Sequence, residues 1–201
     1  MRPFSLLILL AALWVPGGAM ADEPLTVLRQ TVDSVIHVLE SRQDSTKLSA
    51  ADRQAIHDIV DSRFDFHEMS KRSMGKIWKK IDKEQRREFV PVFQELLERN
   101  YGNRLAGFTG QTVSYGKVKL DGKRAKVDTE IDNEGTPIPV RYSLYDNGST
   151  WMVYDIRIEG VSLVATFRSD FKTIFKKNGF DGLLAQLGEK VDSLKSRDSA
   201  G

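Results

Sequence analysis

Histidine is the side chain most often recruited to move a proton or hold a metal near neutral pH. This 201-residue chain has three, His37, His57 and His67, separated by twenty and ten residues. A helix grips a metal with histidines at i and i+4, and neither spacing supplies that pair. His67-Glu68 opens like a zinc-protease motif, but position 71, where the second ligand would stand, is Lys71. The histidines therefore read as exposed or structural. Cysteine is absent, which removes thiolate ligands, thiol nucleophiles and disulfides together. No G-x-S-x-G elbow and no Walker-type phosphate loop occurs. Asp155 and Arg157 stand two apart in a strand-like run, so they share a face. They could serve as an acid–base couple, but a structural ion pair is the preferred reading. No catalytic residue and no metal site is assigned.

The elements that would position any site fall into two periods. Leu25, Leu28, Val32, Val35, Ile36 and Leu39 recur at three- and four-residue steps, the stripe of an amphipathic helix. Ser49 can cap a second helix carrying Ile56, Ile59 and Val60, and Phe64, Phe66 and Met69 belong to a short third element. Asp82 with Gln85 forms a capping box for a fourth helix with Phe89, Phe93, Leu97 and Tyr101 on one face, and Pro91 should bend it.

The period then changes to two. Val127, Thr129 and Ile131 alternate with Asp128, Glu130 and Asp132, while Ile138, Val140, Tyr142 and Leu144 alternate with Pro139, Arg141 and Ser143. Asp121-Gly122, Glu134-Gly135 and Asp146-Asn147-Gly148 separate four candidate strands by hairpin-length turns, so the sheet is largely antiparallel. Strict alternation places Trp151 and Val153 on one face of the last strand and Met152, Tyr154, Ile156 and Ile158 on the other. Asn147-Gly148-Ser149 reads as a turn rather than a glycosylation acceptor. Gly160 ends the strands, Ser162 can cap a helix bearing Leu163, Phe167 and Phe171, Gly179 stops it, and Asp181 starts a last one. The fold class is α+β, a curved antiparallel sheet of about four strands with several helices against one face.

Residues 1–21 run from Met1-Arg2 through the apolar stretch Phe4 to Val15 to the small-x-small site Ala19-Met20-Ala21. That is the pattern of a cleaved export signal, and the apolar run is too short for the ~20 residues of a spanning helix. The mature chain, 22–201, reads as one domain with a frayed polar tail. Without Arg2 it carries 29 basic residues (30 minus 1) against 28 acidic ones, a balance that argues against nucleic acid as a partner. The large apolar side chains, Phe66, Met69, Phe89, Phe93, Tyr142, Tyr154, Phe167 and Phe171 among them, suit either an ordinary core or an apolar cavity. Lys71, Arg72, Lys76, Lys79, Lys80, Lys83, Arg86 and Arg87 form either a solvated face or a docking patch.

A resemblance orders these alternatives. The segment 151–171, WMVYDIRIEGVSLVATFRSDF, has an aromatic-Asp strand, a Glu-Gly corner, a Ser-Leu helix entry and Arg-x-x-Phe. It resembles the MlaC family of periplasmic phospholipid carriers, and FDFHEMSKRSMGKIW at 64–78 followed by REFVPVFQELLERNYGNRL at 87–105 is similar to that family's N-terminal half in the same order. The resemblance implies an apolar cavity between sheet and helices, glycerophospholipid as cargo with no other cofactor, and no enzymatic step. It also implies export to the periplasm, and transfer between an outer-membrane lipoprotein-porin complex and an inner-membrane ABC transporter complex that maintains outer-membrane lipid asymmetry. A monomer is expected. On strand alternation and helix stripes, the residues assigned to the cavity are Phe66, Met69, Met74, Phe89, Phe93, Leu97, Val127, Ile131, Val140, Tyr142, Leu144, Tyr154, Ile156, Leu163, Phe167 and Phe171. Lys79, Lys80 and Lys83 are the expected docking residues. A small-molecule binder or enzyme on a cone-like α+β fold is the runner-up, and an adaptor with a fully packed core the third reading.

Overall fold

The computed structural model describes residues 23–200, so the export signal expected over 1–21 lies outside the described residues. Helix α1 spans Pro24–Ser41, and Pro24 at its first turn brings a backbone angle already suited to a helix start. Helix α2, Ala50–Asp61, begins at the reciprocal box in which Ser49 Oγ accepts from the Asp52 amide while Asp52 accepts from the Ser49 amide. Helix α3, Phe66–Met74, is capped by Asp65 and ends in a 3-10 turn, Gly75–Lys79. The Asp82–Gln85 box opens α4, Lys83–Ala106, which continues through Pro91 as one 24-residue helix.

Strands β1 Thr112–Asp121, β2 Arg124–Asn133, β3 Thr136–Asp146, β4 Trp151–Ile158 and the two-residue β5 Val161–Ser162 form an antiparallel meander in chain order. The β2–β3 turn shows why the hairpin is tight. Asn133 pairs with Thr136, and the two residues between them, Glu134 (φ 53°) and Gly135 (φ 83°), both adopt the left-handed angles that match the twist of the flanking strands. Asn147 Oδ1 accepts from the Ser149 and Thr150 amides, so Asn147-Gly148-Ser149 is a turn. Helix α5 covers Leu163–Ala200, interrupted at Gly179 (φ 69°, ψ −166°), the stop expected from sequence.

Three apolar clusters hold these elements, and their separation is the main feature of the packing. The largest draws on α3, the 3-10 turn, α4 and α5, with Phe89, Phe93, Phe171 and Leu183 nearly sealed from solvent. The second joins Val27 and Leu28 of α1 to Ala125, Val127, Leu144, Trp151 and Val153 of the sheet. The third gathers Leu39, Leu48 and Ile56 where α1 and α2 meet the end of α4. Phe64 touches the first two, and Val60 the first and third.

The helices therefore do not form one layer on one face, as the sequence suggested. Helix α1 lies on the face carrying Val127 and Leu144, whereas α3 reaches the sheet at β4: the Asp65 amide donates to the Val153 carbonyl (2.9 Å) and the Val153 amide to the Arg63 carbonyl (2.8 Å). The segment at Phe64 thus runs parallel to β4 as a short extension of the sheet.

Strand β4 also corrects the alternation read from sequence. Leu144 pairs with Val153 but Ser143 with Asp155, so Tyr154 is a bulge and the facing of every later residue is reversed. Ile156, opposite Tyr142, then shares the α1 face with Val153. Tyr154 turns to the opposite face, where its ring lies 6.2 Å from that of Tyr145 and under the Arg72 guanidinium at 4.0 Å. Asp155 does not pair with Arg157. Its carboxylate accepts from Ser162 Oγ (2.7 Å) and the Val164 amide (3.2 Å), fixing the start of α5, while Arg157 donates to the Gly160 carbonyl. An orphan amide at a helix start is a more demanding partner than an exposed guanidinium, which water serves equally well.

The α2–α4 contact contains a titrating link. His57 Nδ1 lies 2.9 Å from Glu98, and this hydrogen bond raises the imidazole above its usual pKa against a smaller opposing effect of burial. A raised folded-state value means that the stabilisation is complete below the unfolded pKa near 6.5 and lost as pH rises through the folded value. We expect stability to fall modestly across that window and His57→Gln to flatten the profile. Urea unfolding between pH 5.5 and 8.5 measures this, and an unchanged slope in the variant would remove His57 as the cause.

Candidate functional site

The α1 face of the sheet has two zones. At one end Ala125, Val127, Leu144, Trp151 and Val153 are packed under Val27 and Leu28. Further along the same face the register brings Thr129, Val140 and Ile158 into one row and aligns Ile131 with Ile138 in the next. Val140 is buried (4% exposed) and so is Leu163 at the head of α5 (8%), yet neither joins any of the three packed clusters. Ile131, Ile138 and Ile158 are half-buried in the same way, as is Ile36 on α1. These apolar side chains are buried or half-buried and belong to none of the three clusters. Such a surface gains stability from any apolar guest that completes its packing.

Tyr142 stands between the zones, opposite Val127 on one side and Ile156 on the other. Burial pushes its hydroxyl up to about 12, so it stays neutral at any physiological pH. Tyr115, on the same face, donates to Asp33 Oδ1 of α1 at 2.9 Å beneath the Arg29 guanidinium, and burial raises its pKa further. These contacts tether α1 to β1. Thr129 Oγ1 satisfies itself on the Val140 carbonyl at 3.3 Å. The face therefore offers apolar contact and no reactive group.

The sequence-assigned residues distribute unevenly over this arrangement. Phe66, Met69, Met74, Phe89, Phe93, Leu97 and Phe171 are buried in the helical cluster, with Phe167 half-buried against it. Phe93 has ring contacts with Phe89 (5.6 Å), Phe167 (5.1 Å) and Phe171 (5.3 Å). Val127 and Leu144 belong to the sheet cluster, with Tyr142 and Ile156 against it, and Ile131, Val140 and Leu163 lie outside all three. Tyr154 faces away from this group. Sequence reasoning omitted Ile138 and Ile158 from the site, although Ile138 stood in the same alternating run as Val140.

The three expected docking lysines, Lys79, Lys80 and Lys83, are exposed. Lys83 borders an open surface cleft of about 520 Å³ with His67, Arg86, Arg87, Val90 and Pro91. Arg86 is committed to the chain itself, donating to the Trp78 and Ile81 carbonyls. Among the described residues no cluster of side chains suits a metal ion, and no helix is long and apolar enough to cross a membrane.

A model of the MlaC protein family matches residues 29–189. The chain belongs to the MlaC family. Among its relatives, the toluene tolerance protein ttg2D of Pseudomonas putida is 31% identical over 88% of this chain and 84% of its own length. The intermembrane phospholipid transport system binding protein MlaC of Haemophilus influenzae is 23% identical over 92% of this chain and 91% of its own. A phospholipid-binding protein from Ralstonia solanacearum, solved in complex with a phospholipid, superposes with a TM-score of 0.81 at 26% identity, over 87% of this chain and 99% of that one. The MlaC match takes in the whole sheet and most of the helical cluster, and leaves out Val27 and Leu28 of α1 and Val191 and Leu194 of α5.

Proposed function

We propose that this chain is an exported phospholipid carrier whose mature form, 22–201, is a single domain released after Ala21. The observation that carries the reading is the sheet face around Ile131 and Val140, with Leu163 at the head of α5, buried or half-buried but outside the three packed clusters, in a fold shared with a phospholipid-bound relative. Each methylene removed from water contributes about 0.8 kcal/mol, so two acyl tails face a transfer cost on the order of 20 kcal/mol. Enclosure between the sheet and the helical layer offsets that cost. From the sequence-derived set the lining keeps Ile131, Val140, Tyr142, Ile156 and Leu163, with Ile138 and Ile158 added; Tyr154, on the opposite face, and the residues buried in the packed clusters are left out. Direction comes from partners that differ in affinity for the lipid, since an equilibrium carrier moves nothing uphill alone.

In this reading the carrier is a periplasmic monomer that exchanges lipid with an outer-membrane lipoprotein-porin complex and an inner-membrane ABC transporter complex. It performs no bond-making step. Exposed Lys79, Lys80 and Lys83 steer it to acidic partner surfaces. Native mass spectrometry of protein purified from cells without detergent should show one adduct of phospholipid mass, identified by extraction. Charge reversal of the three lysines to Glu should leave that adduct intact while slowing capture on immobilised partner complexes. Stoichiometric lipid-free protein under mild preparation would contradict the carrier, and wild-type capture rates would contradict the docking patch.

A further inference from the structure

Strand β1 is an edge: its one strand neighbour is β2. Ten residues, Thr112–Asp121, therefore present one row of backbone groups with no strand beside them. Long open edges invite pairing with another chain, and proteins usually blunt them. Only the Tyr115 end is fastened, through Asp33 and Arg29 of α1. A bulge between Tyr115 and Val118 separates that end from the rest.

Beyond the bulge the two faces of the edge differ sharply. Val118 (38% exposed) and Leu120 (59%) share the face that α1 covers elsewhere, and they are two of the three exposed large apolar side chains among the described residues. On the other face Lys119 pairs directly opposite Lys126 of β2, and Lys117 is close enough to Asp128 to favour its charged form. Like charges directly opposite across a ladder are destabilising. Asp128 is already engaged by Arg141, and among the described residues no carboxylate bridges Lys119 or Lys126. An open backbone row thus runs between an apolar row and a cationic row in which, among the described residues, Lys119 and Lys126 have no bridging carboxylate.

We propose that β1 is a strand-addition site for an extended segment of a partner protein whose side chains alternate apolar and acidic. Such a segment meets all three features at once: its backbone completes the ladder, its apolar residues cover Val118 and Leu120, and its carboxylates neutralise Lys117, Lys119 and Lys126. A second copy of this chain fits poorly, because antiparallel self-pairing about Val118 sets Lys117 against Lys119 twice. The proposal rests on this surface alone and holds whether or not the chain carries lipid.

The test is amide-resolved NMR of the full mature chain titrated with an eight-residue peptide of alternating Val and Glu. Shift changes and slowed hydrogen exchange should concentrate at 112–121, binding should weaken with salt, and Lys119→Glu should reduce affinity roughly tenfold. That variant removes a like-charge pair, so its fold should persist. A Val/Glu peptide N-methylated at every residue, which has no backbone donor on either edge, should not bind. Equal binding of the methylated peptide, or changes centred away from β1, would overturn strand addition. Concentration-dependent shifts at β1 without peptide would assign the edge to a second copy. Phosphatidylglycerol vesicles that bind through Lys119 while the peptide does not would assign it to a membrane surface.

Discussion

Phe93→Ala will lower the free energy of unfolding by about 3–5 kcal/mol, the range for a large aromatic removed from a closed core. Phe93 is fully buried and its ring is surrounded by those of Phe89, Phe167 and Phe171. These rings come from α4 and α5, the two helices that form the bulk of the helical cluster. Three neighbours belong to rigid helices on two sides, so the vacated space cannot readily collapse, and a cavity cost adds to the lost transfer energy. For a chain of this length each kcal/mol moves the thermal midpoint by about 2–4 °C, so a depression of roughly 10 °C is expected. Urea unfolding followed by circular dichroism measures the effect. The same variant decides what the helical cluster is for: if Phe93 is structural, the folded fraction keeps its lipid. A loss of stability below about 1 kcal/mol would mean that the site is lined rather than packed, and that tails reach into the helical layer.

Tyr142→Glu will act in the opposite sense, on cargo more than on fold. Tyr142 lies between the packed zone of the sheet and the open apolar zone, and its own hydroxyl is desolvated enough to titrate at about 12. A carboxylate in the same position is costly to bury when charged, so its pKa will rise. The sign follows directly. A carboxyl whose pKa is higher in the loaded than in the lipid-free protein favours loading at low pH, and that contribution disappears as pH rises through the loaded-state value. At neutral pH the charged side chain will hydrate the face and exclude tails, and loading should recover as the solution is acidified. Lipid content by extraction, measured against circular dichroism at pH 5 and pH 7.5, tests this. Normal lipid at both pH values in a folded variant would show that tails do not pass Tyr142.

Both predictions depend on which residues share a face, and there local sequence and tertiary structure divided the work. The capping boxes at Ser49–Asp52 and Asp82–Gln85, the stop at Gly179 and the turn at Glu134-Gly135 were all legible, because each is settled by groups within four residues of one another. Alternation within each run likewise separated Val127 from Asp128 and Val140, Tyr142 and Leu144 from Arg141 and Ser143, since an unbroken strand leaves no other arrangement, and the tight β2–β3 register sets the two apolar rows on one face.

Strand β4 carried no such guarantee. One extra residue at Tyr154 moved Ile156 and Ile158 to the α1 face and sent Tyr154 to Arg72, and nothing in the string WMVYDIRI marks the bulge. Its supports are distant in sequence: Phe64 along the strand, Tyr145 beside it, and Ser162 drawing Asp155 to the start of α5. The division of the apolar residues into separate cores was equally hidden. A helical stripe records that a side chain avoids water, not which neighbour it meets. Neither stripe nor alternation announced that Val140 and Leu163 would be buried outside the packed clusters, because cluster membership depends on how distant elements are placed in three dimensions.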